Sequence, residues 1–374
     1  MSKRILVIGG TGTMGRPLVN ALYEKGYELT VVCRKKIEDN RSSIKYRYGN
    51  AKDLGFINSV LNEVYDTIID FCWYTSKEFA LNYEALLNGT KQYICLSSAA
   101  VYSDIPSPKN ENSPRFLETD PPEEGTQKYN WYCYEKARIE DILIKSKYRN
   151  WTIIRPGTTM NDNHFCWGHD WNADWALRIM QGKKVIIPID MLQYKFSLSY
   201  GGHVRTMLMA LIDNEKALGQ IFNVNSTEVF SWQELLDFYR KVFSKAGYEI
   251  KTKKVQSQEL IKLNPNLSYW YERARLLDRV FDSTKVYDLM DNEKFCPMLN
   301  LMEQWVNDFI TKNSSKKIED GALWHTAWMD RITKDSTPRK YFSCTESYLR
   351  YLIMRYAPKL WNLFFYRINK IKKK

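Results

Sequence analysis

The chain opens on an unbroken apolar run, Ile5-Leu6-Val7-Ile8. A run with no polar alternation fits a parallel strand buried on both faces. It stops at Gly9-Gly10-Thr11-Gly12-Thr13-Met14-Gly15, after which Leu18, Val19, Leu22 and Tyr23 recur at helical spacing. Further strand-length runs follow at Tyr27–Cys33, 44–48, Thr67–Phe71, Gln92–Leu96 and Trp151–Arg155. Helical patterns fill the gaps, most clearly at Phe56–Val64, Glu78–Leu87 and Tyr129–Lys147. Strands alternating with helices predict an α/β fold with a doubly wound parallel sheet.

After Pro156 the alternation loosens. Helices are expected at Asp170–Gln181, His203–Leu211, Ser231–Phe243 and Leu299–Thr311, with short strands at Val185–Ile187 and Phe222–Val224. This reads as a smaller mixed α/β lobe built from insertions. The expected division is a dinucleotide-binding domain over 1–157, its core returning in parts of 195–230. A substrate-binding lobe over 158–312 and a helical basic extension over 313–374 complete it. The acidic, proline-containing stretch Pro106–Gly125 is the longest loop, of a length that is usually functional or mobile.

Composition adds limits. With 374 residues, 44% hydrophobic and 26% charged, the chain is globular rather than disordered. No apolar run approaches the roughly 18 residues needed to cross a bilayer, and the first apolar stretch is too short for a signal peptide. Seven cysteines without CxxC spacing point to a reducing cytoplasm, and the four histidines show no metal-ligand grouping, so no metal is expected. The net charge of +12 is concentrated: Pro338–Lys374 holds ten Lys or Arg against one acid, Glu346, a net +9.

Strand, glycine turn, helix is the arrangement in which a helix N-terminus offers N–H groups and a partial positive charge to a phosphate. Gly9 suits the positive φ of the turn, Gly12 a close pyrophosphate, and Gly15 close helix–strand packing. At the end of the second strand, where an acid would hold a ribose 2′-hydroxyl, stand Cys33 and then Arg34-Lys35-Lys36. Arg34 and Lys35 favour a 2′-phosphate, hence NADP over NAD. Asn50, after the third strand, could reach the adenine.

Downstream, the fifth strand runs into Ser97-Ser98-Ala99-Ala100-Val101-Tyr102, and Tyr132-Cys133-Tyr134-Glu135-Lys136 follows about thirty residues later. Residues four apart share a helix face, so Tyr132 and Lys136 project together. A phenol is a poor base at neutral pH, and a neighbouring ammonium favours its phenolate. Tyr132 is thus a candidate general acid/base, Lys136 its electrostatic helper and ribose anchor, and Ser98 the hydroxyl that orients a substrate oxygen.

With GGTGTMG (9–15), SSAAVY (97–102), YCYEK (132–136) and WTIIRPG (151–157) in this order, the chain resembles the extended short-chain dehydrogenase/reductase family, also called the NAD-dependent epimerase/dehydratase family. Weaker matches are QIFNVNSTEVFSWQEL (220–235) and FDSTKVYDLM (281–290). The resemblance implies a Rossmann domain, a C-terminal substrate lobe and hydride transfer at a sugar carbon, usually on a nucleotide-diphosphate sugar. By position it makes Ser98 the catalytic hydroxyl, with Ser97 its neighbour. The cofactor contacts expected are Gly9, Gly12, Thr13, Met14, Gly15, Arg34, Lys35, Asn50, Phe71, Cys72, Tyr132, Lys136 and Pro156, and a homodimer is expected. The family's 4,6-dehydratases carry an Asp-Glu pair where this chain has Ala99 and Ala100. Epimerase and ketoreductase therefore remain. The missing acid at Cys33 and the run IIDFCWY (68–74) resemble an atypical subgroup in which some members bind nucleotide or RNA without catalysis. Those members have typically lost catalytic residues that this chain keeps.

For the substrate, Asn161 and Lys195 are candidate contacts beside Ser98, and Asn163, His164 and Arg178 lie in segments that could also contribute. Trp167, Trp171 and Trp175 recur every four residues, a helix stripe that suits core packing better than base stacking. In the tail, Tyr348–Tyr356 and Lys359–Lys370 are helix candidates. The second has an apolar face and Lys372–Lys374 after it, and could lie on an anionic membrane surface or dock on the body or a second subunit. No recognisable nucleic-acid module accompanies the charge. The reading is a cytoplasmic NAD(P)-dependent enzyme of a nucleotide-linked sugar. The rival is a non-catalytic nucleotide- or RNA-binding protein on the same scaffold.

Overall fold

A computed structural model describes residues 2–162, 164–168, 170, 173–290, 295–314 and 316–361. Its main sheet contains β1 (Arg4–Ile8), β2 (Glu28–Cys33), β3 (Ile44–Tyr48), β4 (Tyr65–Asp70), β5 (Thr90–Leu96) and β6 (Trp151–Arg155), with a seventh strand at Gln220–Asn223. The spatial order is Gln220–Asn223, β6, β5, β4, β1, β2, β3, and every pairing is parallel. This is the Rossmann order, reversing direction between β1 and β4.

The unbroken apolar runs follow from burial on both faces. Ile5 and Val7 face one cluster, where α1 (Gly15–Glu24) supplies Leu18, Val19 and Leu22 and the helix Gly201–Leu211 supplies Val204, Met207, Leu208 and Leu211. Leu6 and Ile8 face the other, closed by α2 (Leu54–Val60) and α3 (Ser76–Asn88), and past the short α4 (Phe116–Thr119) by Ile139 and Leu143 of α5 (Tyr132–Lys145). Asp53 caps α2 through its side chain, and Thr75 with Glu78 forms a capping box on α3, which sets where both helices begin.

Contacts group the chain into two compact units. The first comprises 1–161, 193–232 and 266–300, and the second 162–192, 233–265 and 301–374. The two interleave along the sequence, with 193–232 and 266–300 returning to the first. The first unit also holds a three-stranded sheet of Thr158–Met160, Lys195–Tyr200 and Val229–Ser231. The second holds a parallel strand pair, Val185–Pro188 with Thr252–Val255. It also contains a buried ion cluster. Asp330 accepts from Arg178 at 2.5 Å, Lys183 at 3.3 Å, Thr337 at 2.5 Å and Tyr351 at 2.7 Å.

Several local expectations are corrected. The helix expected from Asp170 begins only at Asp174, because Trp167 and Asp170 bridge each other in a tight turn before it. Trp167 and Trp175 are both buried, as packing residues, but do not share a helix stripe; Trp171 lies outside the described residues. Arg178 is buried and ion-paired with Asp330. The helix expected at Tyr129–Lys147 breaks at Trp131 into a short 3-10 turn, Gln127–Asn130, and then α5. The loop Pro106–Gly125 is anchored by Arg115, which bonds Glu118, Glu140 and Asp141.

Candidate active site

The glycine turn leaves the carboxyl end of β1, beside the point where strand order reverses. Gly9 has φ +76°, which L side chains rarely adopt. A Cβ on Gly15 would fall 2.6 Å from the Gly9 carbonyl oxygen and 2.7 Å from the Gly10 Cα, so only glycine lets α1 start this close to the strand. Gly12 is exposed, and a Cβ there would meet just the Gly9 oxygen, at 3.6 Å. Thr13 and Met14 complete the turn. Met14 gives α1 no side-chain cap, and the first turn carries no acid. An uncapped helix start beside an open glycine is a fitting seat for pyrophosphate oxygens.

Two contributors escape a sequence reading. A Cβ on Gly10 would lie 2.8 Å from Val31 Cγ1, and one on Gly201 would lie 2.5 Å from the Thr13 oxygen. Gly201 therefore lets the helix Gly201–Leu211 back the turn. Its available signal was the Gly201-Gly202 pair directly after a strand.

Around the turn, Phe71 donates its N–H to Ile8 O at 2.9 Å and stands against Gly9, whose Cβ would lie 3.3 Å from Phe71 Cβ. Cys72 is half-buried, its thiol pushed up to about 11 by burial and by Asp70. Asp70 itself is wholly buried, accepting from Cys72 N–H at 2.8 Å and from the Tyr74 and Tyr93 hydroxyls at 3.0 Å. Burial raises its carboxyl to about 6 against those hydrogen bonds. Past β2, Cys33 is buried, while Arg34 and Lys35 are exposed. Asn50 is exposed too, its side chain accepting from Lys52 N–H at 3.2 Å. Pro156 is buried and accepts the Ala99 N–H at 2.9 Å.

The hydroxyl and phenol candidates sit on the same carboxyl edge. β5 is two strands from β1, about 10 Å at ordinary strand spacing. Tyr132 is half-buried as the first residue of α5, and Lys136 is buried one turn later with Nζ 5.8 Å from the Tyr132 ring centre. Lys136 donates to Leu96 O at 2.7 Å, which ties α5 to the end of β5 just before Ser97 and Ser98. The two serines differ. Ser97 is buried and donates to Glu140 at 2.5 Å. Ser98 is half-buried; its oxygen accepts from Ala100 N–H at 3.1 Å, leaving its own hydrogen for another acceptor.

Glu140 anchors the scaffold behind Ser97. It accepts from Arg155 at 2.8 and 2.7 Å and from Arg115 at 3.1 Å. Burial alone would raise its carboxyl; Arg155, Ser97 and Arg115 outweigh that and hold it below the usual range. Arg279, also buried, donates to the Ala99 and Tyr102 oxygens and so braces the loop that carries Ser98.

The substrate candidates are spread apart. Met160 pairs with Tyr200, so Asn161 lies at the opposite end from Lys195 of the strand Lys195–Tyr200. That is roughly 17 Å at ordinary strand rise, too far for both to hold one phosphate. Lys195 and His164 are exposed; Asn163 lies outside the described residues.

The sheet order, the glycine turn and the uncapped helix start define a dinucleotide-binding α/β protein. The pattern of the NAD-dependent epimerase/dehydratase family matches residues 5–224, and the chain belongs to that family. A chloroplast stem-loop binding protein of 41 kDa (form b) from Arabidopsis thaliana is 29% identical over 266 residues, covering 66% of this chain and 63% of that protein. The chain thus matches less than two thirds of that relative's length. Among solved structures, the UDP-glucose 4-epimerase of Thermotoga maritima superposes with a TM-score of 0.60 at 15% identity, over 83% of this chain and 99% of that one. The dTDP-glucose 4,6-dehydratase of Bacillus anthracis, in complex with NAD, gives 0.62 at 13% identity, over 83% and 98%. At such identities these two establish the shared fold. No described helix is long and apolar enough to cross a membrane.

Proposed function

We propose that this chain is an NAD(P)-dependent epimerase or ketoreductase that transfers hydride at a carbon of a nucleotide-diphosphate sugar. The observation that carries the reading is the placement of Tyr132, Lys136 and Ser98 on the carboxyl edge that also bears the glycine turn. The turn and the start of α1 would hold the pyrophosphate, and Lys136 the nicotinamide ribose. Arg34 and Lys35 would hold a 2′-phosphate, which favours NADP. When bound, the nicotinamide ring supplies the hydride acceptor and donor. Ser98 donates to the sugar oxygen and fixes its direction. Tyr132 takes the proton from that oxygen as the carbonyl forms and returns it on reduction. Lys136 holds its ammonium 5.8 Å from the Tyr132 ring centre, on the same helix face. Ala99 and Ala100 offer no carboxylate to a leaving hydroxyl, which argues against 4,6-elimination.

The test is Tyr132→Phe assayed on uridine and thymidine diphosphate hexoses with NADPH and NADH. Turnover should fall by about 10² to 10⁴ while dinucleotide affinity stays within about threefold. Undiminished turnover would sink the assignment. A second reading is favoured by the name of the stem-loop binding relative: a nucleotide- or RNA-binding protein on this scaffold. It predicts dinucleotide binding without turnover on any sugar and retention of an RNA hairpin that Ser98→Ala leaves unchanged.

A further inference from the structure

In the second unit, the helix Thr345–Tyr356 packs Ser347, Tyr351 and Met354 inward, with Tyr351 and Met354 in a core beside Ile318, Leu323, Ala327 and Phe342. Its opposite side is apolar as well. Leu349 is 53% exposed, Ile353 44% and Tyr356 68%. At 3.6 residues per turn these three fall within about 60° of one another and about half a turn from Tyr351. Leu360, beyond Pro358, is 59% exposed. Single exposed apolar residues need no explanation, but a stripe facing away from the packed side marks an interaction surface. Among the described residues these side chains stay exposed.

Its setting selects the partner. The sole acid of Pro338–Lys374, Glu346, is paired with Arg350. After the stripe the sequence continues with five further cations, Arg367, Lys370 and Lys372–Lys374, interleaved with leucine, phenylalanine and isoleucine and without any acid. An apolar strip able to enter the headgroup boundary by about 5–10 Å, beside a polybasic segment, is the chemistry that an anionic lipid surface recognises. A second copy of this chain would bring the same positive charge to the contact. We propose that Leu349, Ile353, Tyr356 and Leu360, with the basic residues that follow, seat the protein on an anionic membrane surface. The inference is independent of the sugar-nucleotide reading.

The experiment is co-sedimentation of the full chain with vesicles of phosphatidylcholine alone or mixed with phosphatidylglycerol. Binding is expected on the mixed vesicles, weakening as salt rises. Gln at Lys370, Lys372, Lys373 and Lys374 together should weaken it by about a hundredfold or more. Leu349→Glu with Ile353→Glu should weaken it at least about tenfold and, both positions being exposed, leave the melting temperature in place. Equal binding to both vesicle types, or unchanged binding by either variant, overturns the proposal. So does a loss of dimer in the Leu349→Glu, Ile353→Glu variant with vesicle binding intact, which would assign the stripe to a second copy. Retention of an RNA hairpin in place of vesicles also overturns it.

Discussion

Glu140 in the first unit and Asp330 in the second are built alike. Each carboxylate is buried, accepts from two cations, and is completed by hydroxyls: Ser97 for Glu140, Thr337 and Tyr351 for Asp330. In both, burial pushes the carboxyl upward and the cations bring it below its usual range. They differ in what lies beside them. Glu140 ties down Ser97 and leaves Ser98, the next residue, with bonding capacity to spare. Asp330 joins Arg178 and Lys183 to the segment 330–351, where Arg178 also bonds Thr333 and Asp335 and Lys183 bonds Thr337. A satisfied buried charge is scaffold; the neighbour it leaves incomplete keeps a group free to bond a ligand.

The comparison breaks most readily by removing each carboxylate. Glu140→Ala and Asp330→Ala each strand two buried cations, and each should cost about 3–5 kcal/mol in urea unfolding. A loss below about 1 kcal/mol in one of them would show that the clusters are not equivalent. His203 sharpens the contrast, because its buried imidazole has a cation, Arg205, rather than a carboxylate acting on it. Burial lowers its pKa from 6.5 to about 4. The unfolded chain therefore takes up this proton first, and stability present above pH 6.5 is lost as pH falls toward 4. The loss is about 3 kcal/mol at most. A His203→Phe variant should flatten the urea midpoint across that window; an unchanged pH slope would exclude His203 as its source. The smallest effects separate the serines. Ser98→Ala should lower turnover about a hundredfold with stability within about 0.5 kcal/mol, whereas Ser97→Ala should cost about 1–2 kcal/mol and leave turnover within a few-fold. Equal behaviour of the two would remove the distinction.

Much of the first unit was legible in the residues. Ile5–Ile8 and Trp151–Arg155 are apolar because parallel strands are covered on both faces, and that need leaves a continuous run. The glycine turn was legible because Gly9 and Gly15 stand where a side chain would be strained or would strike backbone. Less legible was the region from 158 to 200. There Trp167 sits in a tight turn, and short strands such as Thr158–Met160 are set by their partners rather than by any pattern of their own. Arg178, read from sequence only as lying in a segment that could contact substrate, is buried because it pairs with Asp330, 152 residues away. No local signal announces such a partner.

The sequence by itself determined the sheet and the glycine turn and nominated Ser98, Tyr132 and Lys136 as candidates, since strand burial, backbone strain and helical spacing act over a few residues. Tertiary structure alone decided the rest. It showed that Ser97 is spent on Glu140, that Gly201 backs the turn, that Asn161 and Lys195 stand apart, and that Leu349 and Ile353 are left uncovered. Each of these is a contact, or the lack of one, between residues far apart in the chain, which only the folded arrangement creates.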